Sequence, residues 1–436
     1  MRDALVALTL LGMLPFMLRA PIVALLAWIW IGVMNPHRLT YGWAYDFPFA
    51  LGVAVVLFAS CVVNVRKLES PSATLFTWAL VLFILWLNVS PLYSMHPEHE
   101  APLWSRALKI QIMVFAALFI VNRRNHIHWV VTIAALSVAF FGIKGGFFTL
   151  VSGGNYLVWG PPNSFIEDNN TLALATLMVV PMLRYLQLQA QGRVAWITYA
   201  VGMLLCIIAV VGSYSRGALL ALGASVVFFA WKSRARIVLT IMLSIAAVIT
   251  LTLMPDRWFD RMGTIQNYDE LQSVQGRFNA WWMCWNLAKD RFPIGGGFAI
   301  YEPDVFARYA PDPLDLHAAH SIYFQVLGEH GFLGLALFLA IFGATYWNAR
   351  WIIKRTSDDP DLRWANDLAR MMQVALVAYA VGGAFLSLSY FDLPYYIAIA
   401  VAATRVVVGR ALKDESPVPT AQPVAATGGL GVKEPA

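Results

Sequence analysis

Three residues far apart in the chain are of types that act on phosphate esters: Arg216 in SYSRGALLAL, Arg277 in QGRFNAWW and His320 in HAAHSIYFQVLGEHG. An arginine fork grips phosphate oxygens bidentately and stays charged at any relevant pH. Two such forks suit the negative charge that builds on a diphosphate leaving group, in the role a divalent metal fills elsewhere. A neutral imidazole accepts the proton of an attacking hydroxyl near neutrality. The chemistry that suits the trio is transfer from a diphosphate-linked lipid, with His320 as base. Plainer readings stand beside it: Arg216 reaching for headgroups, Arg277 balancing the charge of its loop, His320 hydrogen-bonded at a helix start. His317, three residues earlier, competes for the base role or is a loop histidine without one.

A second tier of polar residues falls near the same predicted face: Lys144 in GIKGGF, Glu167 and Asp168 in FIEDNN, and Asp392 in YFDLPYY. Lys144 offers phosphate a single point charge. Glu167 and Asp168 could orient an acceptor or an arginine, or cap a helix beginning at Asn169 and Asn170, and the cap is favoured for Asp168. Lys109, behind Arg106, reads as a side chain reaching out of a membrane span. The run Gly295, Gly296, Gly297 lacks the preceding strand and the following Lys-Ser/Thr of a phosphate-cradling loop. Cys61, Cys206 and Cys284 have no metal-ligand spacing and read as packing residues. Neither a metal nor a cofactor is expected.

The elements that position these residues must be helices in lipid. Of 436 residues, 59% are hydrophobic and 13% charged, and the mean hydropathy is +0.63, which excludes an ordinary soluble domain. Continuous apolar runs, rather than alternating ones, leave helices and not a barrel. They fall at 4–18, 20–34, 48–65, 73–90, 107–121, 127–150, 169–188, 194–213, 217–231, 237–254, 321–347, 366–388 and 393–408. The expected fold is an all-α, polytopic transmembrane bundle of roughly 12 or 13 spans, the first two forming a tight hairpin or a re-entrant pair. The net charge of +6 sits mostly in short clusters between runs, a topology signal that excludes a nucleic-acid reading. Arg66, Lys67, Arg123, Arg124, Arg184, Arg193, Lys232, Arg234, Arg236, Arg350, Lys354, Arg355 and Arg363, with the C-terminal Arg410 and Lys413, fall in alternate loops and assign those to the cytoplasm. The N-terminus is then outside if both early runs span, and Arg2 argues mildly against it. A secretory leader is rejected, because a second apolar run follows Arg19 without a small-residue cleavage site.

The chain divides into helices over 1–254, a long periplasmic loop over 255–320, helices over 321–413 and a disordered cytoplasmic tail over 414–436. Within the long loop, Phe278, Trp281, Trp282 and Trp285 recur at helical spacing, with Asn279, Asn286 and Lys289 on other faces. That pattern predicts an amphipathic helix whose aromatic side meets either the membrane interface or protein. Topology carries Arg216, Arg277 and His320 to one outer face, so that packing can gather them.

SYSRGA at a span end, then GRFNAWWMCW and FPIGGGF in a long loop, then HSIYFQVLGEHGFLGLALF, resemble the O-antigen ligase and O-antigen polymerase superfamily over about residues 155–400. MNPHRLTYGWAYDFPFA looks like a subgroup of O-glycosylation ligases associated with exosortase systems. The resemblance implies a metal-independent, inverting glycosyltransferase of a bacterial inner membrane with its active site facing the periplasm. Its donor would be an undecaprenyl-diphosphate-linked glycan and its first acceptor lipid A-core, in lipopolysaccharide or cell-surface polysaccharide synthesis. Arg216 and Arg277 match the family's diphosphate-binding arginines and His320 its base, while Ser321 stands where the family often has Asn. A polymerase or a protein O-glycosylation ligase using the same donor is the nearer alternative. A transporter of lipid-linked glycan is the alternative of another class, and it calls for internal repeats and midplane charges.

Overall fold

The computed structural model describes residues 1–232, 255–263 and 272–414. The span expected at 237–254 and all but the first residue of the tail expected over 414–436 lie outside these residues. Every element among the described residues is a helix: α1 (Arg2–Arg19), α2 (Pro21–Met34), α3 (Phe49–Val63), α4 (Leu75–Val89), α5 (Pro97–Ile120), α6 (Arg124–Val151), α7 (Asn169–Gln189), α8 (Arg193–Val211), α9 (Arg216–Lys232), α10 (Asp256–Gly263), α11 (Gln272–Asp290), α12 (Pro303–Tyr309), α13 (Ile322–Arg355), α14 (Arg363–Gly383) and α15 (Asp392–Asp414), with short helical turns between some of them. Against the roughly 12 or 13 crossings expected from hydropathy, seven described helices are long and apolar enough to cross a membrane, namely α4 to α8, α13 and α15. Three more, α2, α3 and α9, are apolar but shorter. The chain is a polytopic helical membrane protein.

The helices run between two unlike ends. At one end the basic loops meet: Arg410 pairs with Glu69, Lys67 donates to the Arg19 carbonyl at 2.7 Å, Arg124 lies over the Trp364 ring and Gln189 donates to Asp367 at 3.4 Å. At the other end Asn163 donates to Tyr45, His99 pairs with Glu302 at 3.0 Å, and the Phe298 N–H reaches Glu100 at 2.9 Å. The N-terminus belongs to this second end, where Arg2 donates to the Leu39 carbonyl and Asp3 accepts from the Ala44 N–H. Helices α1 and α2 therefore form a hairpin turning at the basic end.

Helix α7 is the axis of the bundle, with 83% of its apolar window buried against 28% in α8. It packs against α6, α8, α9 and α14. The crossing of α6 and α8 is close because Gly146 has no side chain: a Cβ there would sit 2.0 Å from the Leu205 carbonyl oxygen.

Helix α13 is broken at Gly331 (φ 68°, ψ −169°), a backbone conformation that glycine adopts without a Cβ clash. The Gly295–Gly297 turn splints the break from outside. Gly296 and Gly297 donate their N–H groups to the Gly328 and Glu329 carbonyls, each at 2.9 Å, and the Trp86 indole donates to the His330 carbonyl at 2.9 Å. A Cβ on Gly295 would meet the Glu329 backbone at 2.5 Å, so the approach needs glycine. The triple glycine thus serves backbone pairing.

Candidate functional site

Short local devices bring the site together at the end away from the basic loops. Asp168 caps α7, its carboxylate accepting from the Asn170 N–H (2.9 Å), the Thr171 N–H (3.1 Å) and the Thr171 hydroxyl (2.6 Å). The next residue, Asn169, donates to the Ser213 carbonyl at 2.7 Å, tying the start of α7 to the turn that delivers Arg216. On α11, Asn279 donates to the Asp312 and Asp315 carbonyls and accepts from the Asp312 N–H. Trp281 donates to the Ala319 carbonyl at 2.6 Å and stacks on Phe324 at 4.9 Å. These staples hold the 312–320 segment along α11, and His320 follows at once with φ 43°. A non-glycine residue in that left-handed region is uncommon and is held by its surroundings.

The aromatic pattern on α11 divides accordingly. Phe278, Trp282 and Trp285 are exposed, whereas Trp281 turns inward with Asn279 and with Asn286, which donates to the Tyr309 carbonyl at 3.0 Å. Polar amides face protein here because the unpaired loop carbonyls beside them need donors.

Arg277 and His320 line one cavity of about 350 Å³ together with Asp168, Asn170, Arg106, Gln325, Glu329 and Tyr390. Burial lowers the His320 pKa, the Arg277 guanidinium lowers it further, and Asp168 works the other way. The imidazole is accordingly neutral at neutral pH and fit to accept a proton. Burial and the charge of Arg216 both act against the Arg277 guanidinium, and Asp168 supports it. Arg277 thus feels the charge of Arg216, and His320 that of Arg277. Arg216 itself is half-buried and not among the residues lining the cavity.

The second tier scatters. Asp168 is both helix cap and cavity wall. Glu167 is exposed and accepts from the Asn163 N–H at 2.8 Å, closing its own loop. His317 pairs with Asp315 at 2.7 Å and packs on Gly276, and its charge is felt at His320. Ser321 is buried at the start of α13, where its carbonyl accepts from the Gln325 N–H. Asp392 is buried and does not line the cavity, with Arg106 as the charge acting on it. Lys144 does not line the cavity: Gly145 and Gly146 press toward Val158 and α8, which leaves Lys144 on the exposed side of α6.

Sequence reasoning passed over a buried polar chain along the cavity wall. Gln325 donates to Glu329 at 3.1 Å, the Tyr390 hydroxyl donates to the same carboxylate, and His330 bridges Tyr390 through Nε2 and Ser90 through Nδ1. Tyr390 has one proton, and giving it to Glu329 leaves its oxygen to accept from Nε2–H of a neutral His330. The available signal was two ionisable residues, Glu329 and His330, inside an otherwise apolar run.

Residues 201–339 match the O-antigen ligase family. Residues 1–191 match a family of unknown function. No curated protein matches the chain. The O-antigen ligase family carries out lipid-linked glycan transfer of the ligase or polymerase type. Its matched segment contains Arg216, Arg277, His320, Gln325 and Glu329, while Arg106, Asp168 and Asn170 come from the segment of unknown function and Tyr390 from beyond both.

Proposed function

We propose that this protein is a glycosyltransferase of the periplasmic face of a bacterial inner membrane, moving a glycan from undecaprenyl diphosphate to an acceptor hydroxyl. The observation that carries the proposal is the shared cavity of Arg277 and His320 at the end opposite the basic loops. By the positive-inside rule those loops are cytoplasmic. In the proposed reaction the acceptor oxygen attacks the anomeric carbon while His320 takes its proton. The bond between sugar and diphosphate breaks, and its electron pair leaves with the diphosphate. Arg277, with the charge of Arg216 beside it, stabilises that leaving group, so guanidinium charge does the work a metal does in other transferases. Direct attack inverts the anomeric centre. Lipid A-core is the acceptor to test first, with a lipid-linked repeat and a protein hydroxyl as the comparison.

The test is glycan transfer in membranes that contain folded protein. His320→Ala is expected to lower the rate about 10²–10⁴-fold, and Arg277→Gln about 10²–10³-fold. Undiminished transfer by His320→Ala would remove it as the base. Counterflow of a labelled lipid-linked glycan with no transfer product would move the protein to the transporter class.

A further inference from the structure

Arg216 and Arg277 are the two arginines expected at the donor, yet only Arg277 lines the cavity. A second guanidinium lines it from elsewhere: Arg106, on α5, in the part of the chain matched to a family of unknown function. We infer that Arg106 is a donor-binding cation of this site and that the segment of unknown function completes the cavity by supplying it. The inference rests on the donor proposed above.

Three observations support a binding role. Arg106 lines the cavity and its side chain is in part open to solvent, so a ligand in the cavity meets it. Its position is fixed: the guanidinium carbon lies 3.9 Å from the centroid of Phe165, which comes from the loop before the Asp168 cap. A cation over an aromatic face is held there without using up its N–H donors. The third observation is Asp392. That carboxylate is 4% exposed and its Oδ1 has no hydrogen-bond partner, and Arg106 is the charged group acting on it. A buried carboxylate needs such a countercharge, so the charge of Asp392 favours a guanidinium at this place. Arg106 and Arg277 then face one space from opposite halves of the chain. Two forks in one cavity fit two linked phosphates better than one.

The experiment measures binding of farnesyl diphosphate and farnesyl monophosphate to the purified full chain in detergent, with thermal unfolding as the check on folding. The unaltered protein is expected to favour the diphosphate. Arg106→Gln should weaken diphosphate binding about ten- to a hundredfold, the worth of a charge-assisted hydrogen bond, and weaken the monophosphate less. The double variant Arg106→Gln/Asp392→Asn removes both charges together, so it tests loss of the cation without stranding a buried carboxylate, and the same loss is expected. Lys109→Gln, exposed on the same helix and outside the cavity lining, should bind as the unaltered protein does. If Arg277→Gln weakens diphosphate binding while the folded double variant does not, the donor reading stands and the role of Arg106 is overturned. If the folded, unaltered protein binds neither probe, both fall.

Discussion

The two ends of this bundle solve the same problem, turning the chain between helices, in different ways. At the basic end the turn before α8 uses Gly192 at φ 92°, and the contacts there include an exposed ion pair and a small amide cluster in which Asn366 joins Thr356 and Arg370. The non-glycine residues with positive φ, Asn35, Asn163, Tyr214 and His320, all lie in the connections at the opposite end. That end also holds the broken helix α13 and the buried chain from Gln325 to Ser90. Strained backbone and buried polar groups persist only where neighbours over-determine them. The asymmetry separates an end that reverses the chain from an end that holds side chains in place.

Glycine substitutions should give opposite signs at the two ends, and the largest effect. Gly331→Ala forces an L residue into a positive-φ, extended-ψ conformation essentially confined to glycine, at about 1–3 kcal/mol. Its Cβ would lie 2.2 Å from the Pro293 carbonyl oxygen, adding an overpacking cost of about 1–3 kcal/mol. Gly409→Ala, on α15 near the basic end, meets nothing within 4 Å and should stabilise by about 0.5–1 kcal/mol. Thermal unfolding in one detergent reads both, and a neutral Gly331→Ala would break the comparison.

Carboxylates give the next largest contrast. Glu100 is 3% exposed and accepts from the Phe298 and Ala299 N–H groups and the Ser94 hydroxyl. Glu100→Ala leaves buried donors unpaired and should cost about 1–3 kcal/mol. Glu69, whose side chain is 36% exposed in its pair with Arg410, should lose about 0.2–1 kcal/mol on Glu69→Ala, and less in high salt. Equal losses would mean that the basic end is as tightly determined as the cavity end.

Most helix positions were legible because lipid imposes them. The apolar run at 127–150 became Arg124–Val151 and that at 169–188 became Asn169–Gln189. Asp168 was legible as a cap because the chemistry is local. Helix α5 starts well before its apolar run: the run begins at 107 and the helix at Pro97, ten residues earlier. Hydropathy sees only the lipid-facing part of a helix. The start signals were Pro97 at its first position with Glu98 and Glu100 in the first turn. That shortfall left Arg106 and Glu100 outside the expected site. The place of Lys144 is hidden for the reverse reason: its glycine neighbours are visible in the sequence, but which side of α6 they turn to α8 depends on tertiary packing. The role of Gly295–Gly297 was equally hidden, since its partners lie more than 30 residues away on α13.

The smallest and most discriminating effect is in pH dependence. Burial and Arg277 hold the His320 pKa below its ordinary value of 6.5, and Asp168 partly offsets them. A base must be unprotonated, so the transfer rate should fall as pH drops through that lowered value, with the acid limb below pH 6.5. Asp168→Asn keeps a good helix cap but removes the negative charge that favours the imidazolium. The His320 pKa then drops further, and the acid limb moves to still lower pH. Asp367→Asn, at the basic end, should leave the limb where it is. Rate against pH for the three proteins checks the sign. A limb that moves upward in Asp168→Asn, or moves equally in Asp367→Asn, would separate the acid limb from His320 and with it the division of labour between the two ends.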